Sequence, residues 1–190
     1  MKQQKLLIKY IKNCQINLSA LSVNKNSSLK RIFYVIELLL NSLLFQVYAV
    51  ETFLANKGSK SAGIDDKVLK NTSEAKLEFL QILKNFRDRK PLPVRRVYIQ
   101  KKNNEKQSIS IPSISDRLVQ QLFVLVLDPA VEANSDAHSY GFRKGRSPIM
   151  AIGDIQKNLQ SKIRNGSSSL ELTWIWNADI KKCLDSNNHA

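Results

Sequence analysis

The sequence predicts an α+β fold, mainly helical, with one β-hairpin and a short apolar strand ending at Ile180. Over most of the first 90 residues, apolar side chains recur at the spacing of a helix. Between Val94 and Ile111 the period drops to two, the spacing of a strand with one buried face. Hydrophobic residues make up 43% of the 190-residue chain, enough to build a core for one domain or parts of two.

Taken in order, residues 3–22 read as a weak helix with Leu6, Leu7, Tyr10 and Ile11 on one side. Asn24–Ser28 is a polar break, and Ser27 or Ser28 can cap the next helix. Residues 29–55 read as one long helix: Leu29, Ile36, Leu43 and Val50 recur every seven residues, as do Phe33, Leu40, Val47 and Leu54. The two rows form one apolar stripe that needs a partner surface. The small-residue run 56–63 ends the helix, with backbone donors that suit a phosphate. Asp65–Ser73 is irregular, and Glu74–Arg87 is helical through Leu77, Leu80 and Leu83. Pro91 and Pro93 stop it. A hairpin spans 94–111: Val97 and Ile99 share one face, Arg96, Tyr98 and Gln100 the other, and Asn103-Asn104 marks a basic tip. Ser115 or Asp116 caps the helix after it, Arg117–Leu127, which is apolar all round and ends near Pro129. Ile152, Ile155, Leu159 and Ile163 mark a last amphipathic helix, closed by Asn165-Gly166. Leu172–Ile180 reads as a buried strand.

The formal net charge is +14. Residues 1–110 hold 21 Lys and Arg against 8 Asp and Glu, whereas residues 111–190 hold 9 against 8. A basic front half points to a phosphate-backbone partner. The only cysteines are Cys14 and Cys183, which excludes a disulfide framework and fits a reducing compartment. Neither His138 nor His189 stands at zinc-ligand spacing from them. The start carries no secretory cleavage pattern and is not read as a signal or transit peptide. The apolar stretch Ile32–Ala55 is broken by Glu37, Asn41, Gln46 and Glu51, so it is a poor membrane span, and no membrane partner is expected. Lysine outnumbers arginine 21 to 9 beside 16 asparagines, the usage of an A+T-rich genome such as that of an organelle or a low-GC bacterium.

Two stretches carry the chemistry. Ser139–Ser147 packs Gly141 and Gly145, Tyr140 and Phe142, and Arg143, Lys144 and Arg146 into nine residues. Such a loop offers cations to an anion and rings to a base, while its bland alternative is a solvated turn. Asp179 ends the last apolar run and Asp185 follows, so hard oxygen ligands stand where a magnesium ion could bind. One aspartate does not make a two-metal clamp.

Four blocks then occur in order: 49–65, with its Asn-Lys-Gly-Ser-Lys-Ser-Ala-Gly-Ile-Asp end; Arg96–Ile99 through Ile111-Pro112 to Asp116–Gln120; Leu127-Asp128-Pro129 with Glu132 and Ser139–Ser147; and Trp176–Asp185 with His189. Together they resemble group II intron reverse transcriptase/maturases from about residue 29 onward. The resemblance implies an extension (1–28), an N-terminal helical region (29–90), RNA-binding fingers (91–170) and the start of a palm (171–190). It implies intron RNA as partner and Mg²⁺ as the family's cofactor. Asp179 would be the first metal-binding, catalytic aspartate, with Ile180 lending its carbonyl to the metal. Lys101, Lys106 and Leu184 would lie at the nucleotide. Lys57, Lys60, Arg95, Arg96, Arg117, Tyr140, Arg143, Lys144 and Arg146 would lie on RNA.

The departures are specific. Gln107 stands where the family has an arginine that reaches the triphosphate, Lys144 replaces a proline, and Leu184 replaces a phenylalanine. The 190 residues hold no Tyr/Phe-Ala-Asp-Asp run. The expectation is an N-terminal fragment that binds intron RNA, assists splicing, and holds no metal productively and makes no DNA alone. The alternatives are half of a split RNA-directed DNA polymerase, completed by a downstream polypeptide, and a basic helical scaffold that binds protein. The expected setting is a plastid or mitochondrion that encodes the protein, or else a bacterial cytoplasm.

Overall fold

The computed structural model describes residues 2–24, 27–66, 72–100, 104, 106–164 and 176–180. Six helices and two strands follow one another among them: α1 (Lys2–Val23), α2 (Leu29–Leu40), α3 (Leu43–Ala55), α4 (Ser73–Lys84), β1 (Arg95–Gln100), β2 (Lys106–Ile111), α5 (Ile114–Asn134) and α6 (Pro148–Arg164), with a 3-10 turn at Lys57–Lys60. The mainly helical α+β class read from the sequence is the class observed. The chain divides into two compact units, Met1–Ala137 and His138–Ala190.

In the first unit α5 is the central element and packs against α1, α2, α3 and α4. Its Ile114, Leu118, Leu122, Leu125 and Val126 are buried with Ile11 and Leu18 of α1, Leu40 of α2, Phe45, Ala49, Val50 and Phe53 of α3, and Phe79 and Leu83 of α4. Phe53 and Phe79 meet edge to face with ring centres 6.0 Å apart, as do Phe86 and Phe123 at 5.6 Å. Each such pair contributes about 0.5–1.5 kcal/mol beyond its burial. Arg87 pairs with Glu37 and so ties the end of α4 to α2.

The long helix expected over 29–55 is two helices, bent by 64° at Asn41-Ser42. Asn41 turns its amide back onto the Glu37 carbonyl at 2.8 Å, and Ser42 begins α3 from an extended conformation. The break frees the Leu40 carbonyl, and the buried Gln46 donates to it at 3.1 Å. Gln46 therefore stabilises the bend that its polar neighbours begin. Among the described residues no single helix is long and apolar enough to cross a membrane.

Helix α5 also departs from expectation. Its N-cap is Ser113, whose hydroxyl accepts from the Asp116 amide at 3.2 Å, not Ser115 or Asp116. It runs through Pro129 to Asn134 instead of stopping near the proline. Proline has no N–H for the Leu125 carbonyl four residues back. Gln15 of α1 fills that place, donating to the carbonyl at 2.8 Å. Nor is α5 apolar on a wholly buried surface: Val124 and Val131 are exposed.

The hairpin forms where its period of two placed it, but neither face is buried: Val97, Ser108 and Ile111 are half-buried and the other residues of the two strands are exposed. The strands are antiparallel, with Arg95 opposite Ile111, Val97 opposite Ile109, and Gln100 opposite Lys106. At the tip Asn104 takes the left-handed conformation (φ 62°), which asparagine tolerates better than most residues.

In the second unit Pro148 occupies the first position of α6, where its missing N–H costs nothing. The Ser147 hydroxyl accepts from the Met150 amide at 3.4 Å. Of the strand expected over Leu172–Ile180, residues 172–175 lie outside the described residues. Trp176–Ile180 forms no strand and is exposed, because no ladder partner meets it among the described residues.

A candidate nucleic-acid interface

The root of the hairpin is built around one carboxylate. Asp116, in the first turn of α5, accepts from the Ser113 hydroxyl at 2.6 Å and from the Leu92 amide at 3.2 Å. Arg89, just beyond α4, donates to Asp116 at 3.2 Å and also to Ser115. One side chain thus joins the end of α4, the approach to β1 and the start of α5. Gly63 presses against the same corner. A Cβ there would lie 2.7 Å from the Ser113 Cα and 2.8 Å from the Pro112 carbonyl, so only glycine fits without backbone movement.

The cations expected on RNA fall into two groups in the first unit. Arg117 donates to the Gly58 carbonyl at 2.5 Å and to the Ser61 carbonyl, so it clasps the 3-10 turn carrying Lys57 and Lys60. Lys60 is exposed beside this clasp. Arg95 faces Asp66 at 3.4 Å. Arg96 and Lys106 are exposed on the hairpin and have no carboxylate partner among the described residues. Lys101 lies outside the described residues.

The glycine loop of the second unit is tied down more than a solvated turn would be. Phe142 (φ 57°) and Gly145 (φ 73°) both adopt the left-handed conformation. Tyr140 donates its hydroxyl to Asp154 of α6, and the Arg146 guanidinium lies over the Tyr140 ring, 5.7 Å from its centre. His138 Nδ1 is 3.6 Å from the same carboxylate and Lys157 Nζ 3.9 Å. The Tyr140 hydroxyl holds the Asp154 carboxyl below the usual carboxylate range, and Lys157 and His138 act in the same direction. Arg143 is half-buried and Lys144 exposed, while the Phe142 ring is fully exposed at the tip.

Among known proteins, the chain is 31% identical over 145 residues to the group II intron-encoded protein LtrA of Lactococcus lactis, matching 75% of this chain and 22% of LtrA. The chain belongs to the group II intron-encoded reverse transcriptase/maturase family. Two other members are the protein YkfC of Escherichia coli, 32% identical over 74% of this chain and 36% of its own length, and an uncharacterised 91 kDa protein in the cob intron of Schizosaccharomyces pombe, 31% identical over 80% of this chain and 18% of its own. The chain therefore spans about a fifth to a third of the length of these relatives. No family model matches it.

Of the residues that the resemblance puts at metal and nucleotide, Lys106 lies on β2 and Asp179 and Ile180 lie in the second unit. Asp179 and Ile180 are exposed, and Leu184, Asp185 and His189 lie outside the described residues. Among the described residues no group of three carboxylate, histidine or cysteine side chains could hold a metal ion. Sequence reasoning passed over Asp116 as an organiser and Asp154 as an anchor. Asp116 carried a signal, since an acid three residues after Ser113 is the pattern of a helix start. Asp154 carried none, because its role depends on a loop 14 residues away in the chain.

Proposed function

We propose that this chain is an RNA-gripping segment of a group II intron-encoded maturase, and that it binds intron RNA and assists its splicing. The observation that carries the reading is the charge: residues 1–110 hold 21 cations against 8 carboxylates in a chain whose relatives are intron-encoded proteins. The exposed Arg96 and Lys106 on a well-anchored hairpin support it, as does the basic glycine loop. The 190-residue polypeptide, with Asp179 and no Tyr/Phe-Ala-Asp-Asp run, binds RNA without copying it. A second reading, half of a split polymerase, draws support from the exposed Ile149, Ile152, Ile155, Trp176 and Ile180 of the second unit, apolar surface that a palm-completing polypeptide would cover. The setting is an organelle or a bacterial cytoplasm, in keeping with relatives from bacteria and a yeast. The test is binding of structured group II intron RNA across a salt series. Each neutralised phosphate should contribute about 0.7–0.9 log units of affinity per log unit of salt, and affinity that ignores salt would refute the reading.

A further inference from the structure

The two faces of the β1–β2 hairpin differ in kind. One carries Val97, Ile99, Ile109 and Ile111, with Arg95 and Gln107 at its two ends. The other places Arg96 opposite Ser110, Tyr98 opposite Ser108, and Gln100 opposite Lys106. This second face presents an aromatic ring, two cations, an amide and two hydroxyls, with no carboxylate and no aliphatic side chain. Tyr98 stands at its centre and is 62% exposed. The hairpin packs chiefly on itself, so the ring is left to solvent.

Small serines opposite the long side chains leave the ring open from above. Cross-strand neighbours lie about 4.5–5.5 Å apart, and alternate residues along a strand about 6.5 Å apart. The cations at Arg96 and Lys106 therefore flank the Tyr98 ring within reach of one short stretch of chain. A solvated outer sheet face needs no large ring at its centre, and a protein-docking face would carry aliphatic anchors. A ring between cations and hydrogen-bonding groups is the surface that holds unpaired bases, which stack on aromatic faces while their phosphates meet positive charge. A duplex buries its base faces and cannot use such a ring.

We propose that the hairpin face of Arg96, Tyr98 and Lys106 is a stacking platform for single-stranded RNA. Tyr98 takes a base, and the two cations take the flanking phosphates. This rests on the RNA-binding reading and adds which form of RNA is held and where.

The experiment measures binding of the full chain to a fluorescent single-stranded RNA and to a duplex of the same sequence, at several salt concentrations. Tyr98→Phe retains the ring, whereas Tyr98→Ile keeps strand propensity and apolar bulk but removes it. Tyr98→Ile should weaken single-strand binding about tenfold, the scale of one lost base stack, with an unchanged salt slope. Tyr98→Phe should bind as the wild type does. Arg96→Ala and Lys106→Ala should each lower the single-strand salt slope by about 0.7. Ile99→Thr, on the opposite face, should change nothing. Circular dichroism of every variant keeps misfolding from counting as lost binding. If the wild type binds RNA and a folded Tyr98→Ile binds equally well, or if duplex is preferred, the platform is overturned while the RNA-binding reading stands. If the wild type binds no RNA of either form, both fall.

Discussion

Replacing Asp116 with alanine removes the group on which three parts of the first unit converge. The carboxylate is 14% exposed and accepts from Ser113, Leu92 and Arg89, whose own side chain is 22% exposed. Hydrogen bonds to a charged group contribute about 1.5–3 kcal/mol, but Arg89 regains some hydration through its exposed part. A loss of about 2–3 kcal/mol results, less than the 3–5 kcal/mol expected for a fully buried broken pair. For a chain of this size that corresponds to about 4–12 °C in melting temperature. The assay is urea and thermal unfolding of Asp116→Ala, Arg89→Ala and the double variant. Because both single variants break the same pair, the double variant should be more stable than the sum of their losses implies, with a coupling of about 1 kcal/mol or more. Single losses that add to within about 0.5 kcal/mol would refute the claim that Arg89 and Asp116 act as a unit. The variant should also raise amide exchange in β1 and β2, since the Leu92 amide anchors the approach to the hairpin.

Gln15→Leu should cost about 1–3 kcal/mol by stranding the Leu125 carbonyl, and adding Pro129→Ala should recover much of that by restoring an N–H donor within α5, as read by urea unfolding. The lowered Asp154 pKa gives stability that is full above about pH 4, the unfolded value, and is lost as pH falls through the lower folded value. An NMR titration should show Asp154 ionising below its ordinary range, and Tyr140→Phe should move it back up; an unchanged midpoint would contradict the hydroxyl's role. Primer extension on an RNA template with Mg²⁺ or Mn²⁺ should detect no product from the 190-residue polypeptide, and extension that vanishes in Asp179→Ala would show a working site instead.

Much of this fold could be read from one-dimensional pattern, and what escaped was tertiary. The hairpin was legible because its period of two is local, but the core faces of α1 and α4 were legible only in part: Ile11 and Leu83 are buried as their spacing implied, whereas Leu6, Tyr10 and Leu77 are exposed and the buried Leu18 and Phe79 went unmarked. The bend at Asn41-Ser42 was hidden because both apolar rows continue across it, and Gln46 looked like a mere interruption of a stripe. The passage of α5 through Pro129 depends on Gln15, 110 residues away, which rewrites a local stop signal. The candidate interface followed the same division. Its charge was countable, but which cations face outward was not: Arg87, Arg89 and Arg95 meet Glu37, Asp116 and Asp66 across the fold. Arg117 was expected on RNA, and the structure shows it holding the turn of Gly58 and Ser61.

The central claim, that the basic front of this chain grips intron RNA, is tested most directly by the salt dependence of its affinity for a structured group II intron RNA. Between about 50 and 300 mM salt, log affinity should fall linearly with log salt, with a slope of several units if several phosphates are neutralised. A flat dependence, or equal affinity for an uncharged polymer, would contradict it.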